Sequence, residues 1–179
     1  MKNYSILLLF FLAFASYSQN YVTFPDTNAR WVNYRLDQGS FLPIYAIYCA
    51  DGQDTLINSL SYTKVSICGG SFPTGYFGAI RDSLGKVFFT HKDSTTEMLL
   101  YDFTVNQGDS IWNVYGNYTT VNLPIIVSFV DSILINGVQR KRIHIQNGFR
   151  WIEGIGNTAG LFRPSWLPLS VNWNLYCMS

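Results

Sequence analysis

The sequence predicts an all-β domain, an antiparallel meander closed as a barrel or folded as a sandwich, preceded by a signal-peptide helix. Three observations predict it. Aromatic residues reach 17% while charged residues fall to 13%, about half the usual share of a soluble domain, and branched and aromatic side chains pack well on a pleated surface. Turn formers punctuate the chain at short intervals, which marks many short strands. After the first segment, no run of apolar residues recurs at helical spacing.

In chain order, strands are expected at Ala29–Leu36, Pro43–Ala50, Thr55–Ile57, Leu60–Cys68, Gly75–Arg81 and Lys86–His91. Further strands are expected at Glu97–Phe103, Ser110–Val114, Thr120–Ile135, Val138–Gln146 and Phe149–Ile152. The separators are Asp51-Gly52, Gly69-Gly70, Asp82-Ser83-Leu84-Gly85, Asn106-Gln107-Gly108-Asp109, Asn136-Gly137 and Asn147-Gly148. Asn136-Gly137 is the sharpest signal, because a two-residue hairpin turn needs positive φ at both central positions. Counting outward from it sets Asp131 opposite Arg142, a cross-strand pair of opposite charge. The same count leaves no cleanly apolar face, which points to a bulge. Leu56-Ile57-Asn58-Ser59-Leu60 echoes Leu134-Ile135-Asn136-Gly137-Val138, so two similar hairpins are expected.

The first segment has the layout of a secretory signal peptide. A positive start at Lys2 precedes the apolar run Ile6–Ala15, and small residues Ser16 and Ser18 flank Tyr17 before a cut. The run is too short to span a membrane, which takes about 20 apolar residues. The expected organisation is a signal peptide over 1–18 and one β-rich domain over 19–179. Export through the Sec pathway follows, to the periplasm, the cell surface or the medium. The three cysteines are Cys49, Cys68 and Cys177. Cys49 and Cys68 are either the local disulfide of an oxidising compartment or two small buried thiols; Cys177 is left over.

A net charge of +1 gives no field to steer nucleic acid or an anionic membrane. With two histidines, His91 and His144, and no Cys-x-x-Cys, a structural zinc site is not expected, nor is any cofactor. Both histidines are read as surface residues. The two glutamates are Glu97 and Glu153. Glu153, beside Trp151 and two glycines, is read either as an acid or sugar contact, or as an ion-pair partner of Arg142 or Arg150. Gly154-Ile155-Gly156-Asn157-Thr158-Ala159-Gly160 lacks the Lys-Ser/Thr ending of a phosphate loop. The loop holding Phe72 and Tyr76 is the place for exposed aromatics, so Trp151, Glu153, Phe72 and Tyr76 are the candidate ligand contacts.

Several stretches carry a resemblance: Phe24-Pro25-Asp26-Thr27-Asn28-Ala29, Gly78-Ala79-Ile80-Arg81-Asp82, Leu100-Tyr101-Asp102-Phe103, Arg140-Lys141-Arg142 and Trp151-Ile152-Glu153-Gly154-Ile155-Gly156 with Gly160-Leu161. As an ordered set they resemble an uncharacterised β-rich domain of secreted Bacteroidetes proteins, often found N-terminal to a type IX secretion (Por) sorting domain. The resemblance implies secretion and carries no catalytic residue. It also implies a chain that continues past Cys177, with no sorting domain present here. In that setting Asp-Ser and Asp-Thr resemble O-glycan acceptors, at Thr55, Ser83, Ser94, Ser110 and Ser132; the same dipeptides also mark turn edges.

The expected function is a non-catalytic structural or interaction module, whose partner is a glycan or another surface protein. The alternatives are a carbohydrate-binding module using exposed Trp and Tyr, a secreted hydrolase with Glu153 or Asp102 as its acid, and a barrel mouth holding a small apolar ligand. The carbohydrate-binding module needs at least two exposed coplanar rings, and the hydrolase needs two facing carboxylates.

Overall fold

The computed structural model describes residues 21–36, 42–116, 119–121, 123–164 and 174–178. The expected signal peptide, Trp166 and Trp173 lie outside them. The fold is all-β, built from two curled sheets that form half-barrels around one core.

The larger sheet has nine strands in the order β14-β1-β2-β3-β4-β5-β6-β8-β9. Its first members are β1 (Ala29–Leu36), β2 (Pro43–Ile57), β3 (Leu60–Gly70), β4 (Gly75–Ser83), β5 (Lys86–His91) and β6 (Met98–Asp102). They form the antiparallel meander. β8 (Val114–Gly116) departs from it by pairing parallel to β6. β9 (Thr119–Val121) follows β8, and β14 (Asn174–Met178) returns to pair with β1. The smaller sheet has five strands in the order β13-β12-β11-β10-β7. These are β7 (Ser110–Ile111), β10 (Ile125–Ile135), β11 (Val138–Ile145), β12 (Arg150–Ile152) and β13 (Gly156–Asn157).

Asn136 and Gly137 turn at φ 51° and 77°, and Asp131 faces Arg142 across the hairpin. A register shift falls between Val127 and Phe129, so Val127 and Val130 point the same way although they lie an odd three positions apart. The β2–β3 hairpin turns likewise, with Asn58 and Ser59 at φ 49° and 66°. Asp51-Gly52, expected as a turn, is instead a bulge inside one long β2, with the shift between Ala50 and Asp54. Gly52 N donates to Asp26 O at 3.1 Å, so the N-terminal stretch props the bulge open and the strand continues. Ser110–Val114 and Thr120–Ile135, each expected as one strand, are both broken into two.

Inward-facing residues of both sheets meet in one apolar cluster. Trp31, Val65, Val87, Phe89, Leu100 and Tyr101 come from the larger sheet, and Val127, Ile143 and Trp151 from the smaller. Between them lies the segment 153–164, which brings Leu161 and Phe162 into the core. Such a segment carries carbonyls away from water, and each needs a partner. Trp31 Nε1 donates to Ile155 O at 2.9 Å and Trp151 Nε1 to Pro164 O at 2.8 Å. The Tyr101 hydroxyl donates to Leu161 O, and Asn157 Nδ2 to Arg163 O. The core aromatics are therefore clasps as well as ballast.

Candidate functional site

A cleft of about 700 Å³ opens beside the β10–β11 hairpin. Val130, Asp131, Ser132 and Lys141 form its hairpin wall, Leu84 and Gly85 of the β4–β5 turn and Phe103 and Thr104 after β6 the facing one, with Tyr21 and Glu153 between. The hairpin is longer than the core it covers, so past Ile143 its inward positions become Lys141 and Ser132 rather than apolar residues.

Glu153 is only 4% exposed. Its Oε2 accepts from the backbone N of Lys141 at 3.1 Å, and its own N donates to Lys141 O at 3.0 Å. The carboxylate thus extends the β11–β12 ladder by one rung beyond the strand. The expected ion pair with Arg142 or Arg150 is corrected by this geometry: Arg142 is engaged by Asp131, through Nε–Oδ1 at 2.8 Å and Nη2–Oδ2 at 2.5 Å. His144 Nε2 approaches the same carboxylate at 3.2 Å. The Arg142 guanidinium pulls the Asp131 carboxyl down to about 2.

Lys141 Nζ donates to Phe103 O at 2.9 Å and Val105 O at 2.6 Å, tying the small sheet to the loop after β6. Burial pushes its ammonium below the usual lysine range. The Tyr21 hydroxyl donates to Asp82 Oδ2 at 2.5 Å, and burial first, then that carboxylate, raise the phenol well above its usual range.

Asp102, the other carboxylate weighed as an acid, accepts from Thr104 N at 2.9 Å and Thr104 Oγ1 at 2.5 Å, and pairs with Lys86 Nζ at 3.1 Å. It closes the turn that ends β6. Glu97 is held by Arg81 Nη2 at 2.7 Å and by the Tyr62 hydroxyl at 2.6 Å. Among the described residues, no three His, Cys, Asp or Glu side chains gather as metal ligands do.

Trp151 is fully buried and cannot touch a ligand; its indole packs in the core, while Glu153 lies past the end of β12 and turns its carboxylate to the Lys141 backbone. Phe72 and Tyr76 are 38% and 40% exposed on the β3–β4 hairpin and do not line that cleft. Of the described tryptophans, Trp31 and Trp151 are buried and Trp112 is exposed. Tyr34, Tyr45 and Tyr176 line up across β1, β2 and β14, but at 36° and 89° to one another they form no flat platform. His91 differs from its surface reading: it is half-buried, edge-on to Phe77 at 5.5 Å. His144 is also only partly exposed.

Cys49 and Cys68 are joined by a disulfide, with Cα atoms 5.9 Å apart. Ser110 and Ser132 are exposed, and Thr55, Ser83 and Ser94 partly so. Ser94 Oγ accepts from Thr96 N at 3.0 Å, and Asp82 Oδ1 from Gly85 N at 3.3 Å, both turn-edge bonds. Asp131-Ser132 sits instead in mid-strand. Lys141, Tyr21 and Phe103 were not singled out as site residues from the sequence. Lys141 sits within the basic run Arg140-Lys141-Arg142, and only strand alternation sets it apart from its neighbours.

No protein-family model, no curated protein and no solved structure matches the chain.

Proposed function

We propose that this chain is a secreted or cell-surface protein that acts as a non-catalytic interaction module, binding through the cleft beside the β10–β11 hairpin. One observation carries the reading: the one carboxylate turned into a ligand-sized cleft, that of Glu153, and the Asp131 carboxylate on the other face of the same hairpin wall are both committed to holding strands. Glu153 is bonded to the β11 backbone and Asp131 to Arg142. A general acid or nucleophile has to change protonation state or bond order during turnover, and here either change would loosen the sheet. The Cys49–Cys68 bridge supports export, since disulfides persist in oxidising compartments. The Lys2–Ser18 pattern and the resemblance to secreted β-rich domains point the same way.

Two measurements test this. The chain expressed in a Gram-negative host is expected in the envelope fraction, with a mature N-terminus at Gln19; retention in the cytoplasm with an intact N-terminus would sink the export half. Incubation with glycoside, ester and peptide substrates is expected to release no product. Turnover that Glu153→Gln abolishes while the fold is kept would replace the module by a hydrolase.

A further inference from the structure

We infer that the open edge of β10 between Phe129 and Ile135 docks an extended peptide of a partner protein, apolar at alternate positions, as one more strand of the five-stranded sheet. The inference rests on the reading of the chain as an interaction module and names the kind of partner. It starts from the backbone. In a two-residue hairpin the pair flanking the turn exchanges both of its hydrogen bonds, and the pairs behind it alternate between bonded and open. Ile135 therefore bonds to Val138, Ile133 to Arg140 and Asp131 to Arg142, while the N–H and C=O of Val130, Ser132 and Leu134 point away from β11. The upstream edge agrees with that count. Val127 points the same way as Val130 across the bulge: its N donates to Asp109 O at 2.9 Å, and its O accepts from Gly108 N at 2.9 Å. β7 covers Ile125 and Ile126 beside it. Beyond Val127 the outward groups of Val130, Ser132 and Leu134 meet no backbone partner among the described residues.

Native sheets shield long edges with charge, proline or a covering segment. At the other sheet ends β9, β13 and β14 run for only 3, 2 and 5 residues. β10 runs for 11 residues, of which Ile125 and Ile126 pair with β7, and the stretch from Phe129 to Ile135 holds no lysine or proline. Its one charge, Asp131, is held by Arg142 of its own sheet. Outward N–H and C=O groups that repeat every second residue match the main chain of an extended peptide. Side chains then set the partner's pattern. Val130, Ser132 and Leu134 stand on the same face of the hairpin as Lys141, and Val130 and Ser132 line the cleft opposite Leu84 and Gly85. Leu84, Phe129 and Leu134 are exposed. A residue of the added strand that pairs with Val130 or Leu134 sends its side chain to that face, where an apolar group is the fitting neighbour. The wall at Leu84, Gly85 and Thr104 bounds the space beside the edge, so the edge suits a single strand, about 4.8 Å from its neighbour, rather than the whole sheet of a second copy.

The probe is a synthetic heptapeptide of alternating valine and threonine, added in excess to the purified, isotope-labelled chain while backbone amide exchange is followed by NMR. In the free chain the amides of Val130, Ser132 and Leu134 are expected to exchange fast and those of Asp131 and Ile133 slowly. The peptide is expected to slow the first three at least about tenfold and to leave the other two unchanged. Methylating the valine amides, whose N–H groups face β10 when their side chains turn to the cleft, is expected to weaken binding at least about tenfold; methylating the threonine amides is expected to leave it unchanged. Ser132→Pro removes an outward N–H and no bond to β11. It is expected to weaken binding as valine methylation does, with far-UV circular dichroism unchanged. Absence of slowing at the three outward amides, or binding that survives valine methylation, overturns the inference and leaves the module reading to its own tests. Slowing of the same amides as the chain alone is concentrated would assign the edge to a second copy and overturn the partner peptide. Cleavage of the bound peptide would overturn the non-catalytic reading while leaving the docking edge intact.

Discussion

The polar tips of buried aromatics decide where the inter-sheet segment runs. Trp151 is enclosed on all sides, and its one donor meets Pro164 O at 2.8 Å. Trp151→Phe keeps most of the packing but strands that carbonyl in the core. The expected loss is about 1–3 kcal/mol, read as a shift of the urea midpoint with an unchanged slope; a variant as stable as the parent would show the bond to be dispensable. Asp131 makes a different kind of contribution. Its carboxyl is held at about 2, chiefly by hydrogen bonds from Arg142. A carboxyl lowered in the folded state stabilises above the unfolded carboxylate range and loses that effect as pH falls toward the folded value. The pair is about a quarter exposed, so screening keeps the effect near or below about 1 kcal/mol. Asp131→Asn is therefore expected to be slightly less stable at pH 7, with the gap closing between about pH 4 and pH 2. Acid titrations of both proteins followed by tryptophan fluorescence check this, and a gap that widens on acidification contradicts it.

At the level of elements, hairpin chemistry was legible, and so was the bulge in the β10–β11 hairpin, whereas the bulge at Asp51-Gly52 was not. Asn136-Gly137 announces its turn locally, since both residues tolerate positive φ, and the β10–β11 register from Ile135 back to Phe129 follows from that dipeptide. Asp51-Gly52 carries the same local signal, yet it lies within a strand, because its partner is Asp26, distant in sequence. The parallel β6–β8 pair and the short β13 were hidden for the same reason. Glu153 was legible as a residue of note, whereas its neighbours in the cleft come from turns and strands scattered from Tyr21 to Lys141. The Cys49–Cys68 bridge ties β2 to β3, the two positions lying 19 apart in sequence. Closing a loop of that size removes chain entropy from the unfolded state worth about 3 kcal/mol. Replacing both cysteines by alanine is expected to lower stability by about 2–4 kcal/mol without altering the β content seen by circular dichroism. An equal stability would mean that the hairpin persists when the chain unfolds.

Taken whole, the molecule has one core served by two sheets, so the sheets stand or fall together. Leu161 is fully buried in the segment between them, and its neighbours in the cluster include Tyr101 and Phe89 of the larger sheet and Trp151 of the smaller. The same segment is bonded to both: Leu161 O accepts from Tyr101, while Thr158 N reaches Arg150 O at 3.0 Å. Leu161→Ala removes packing from both faces at once. A cavity of this kind costs about 2–5 kcal/mol, and for a chain of this size that is a large share of the total stability. The decisive feature is how the loss is distributed. If the shared core couples the sheets, far-UV circular dichroism, which weighs all strands, and fluorescence from buried Trp31 and Trp151 move to the same lower midpoint. If each sheet were held by its own contacts, the variant would split the unfolding into two transitions, with the five-stranded sheet, which has less buried surface of its own, leaving first. A single displaced transition is the expected outcome. Its consequence for function is that the cleft, whose walls come from both sheets, cannot outlive either.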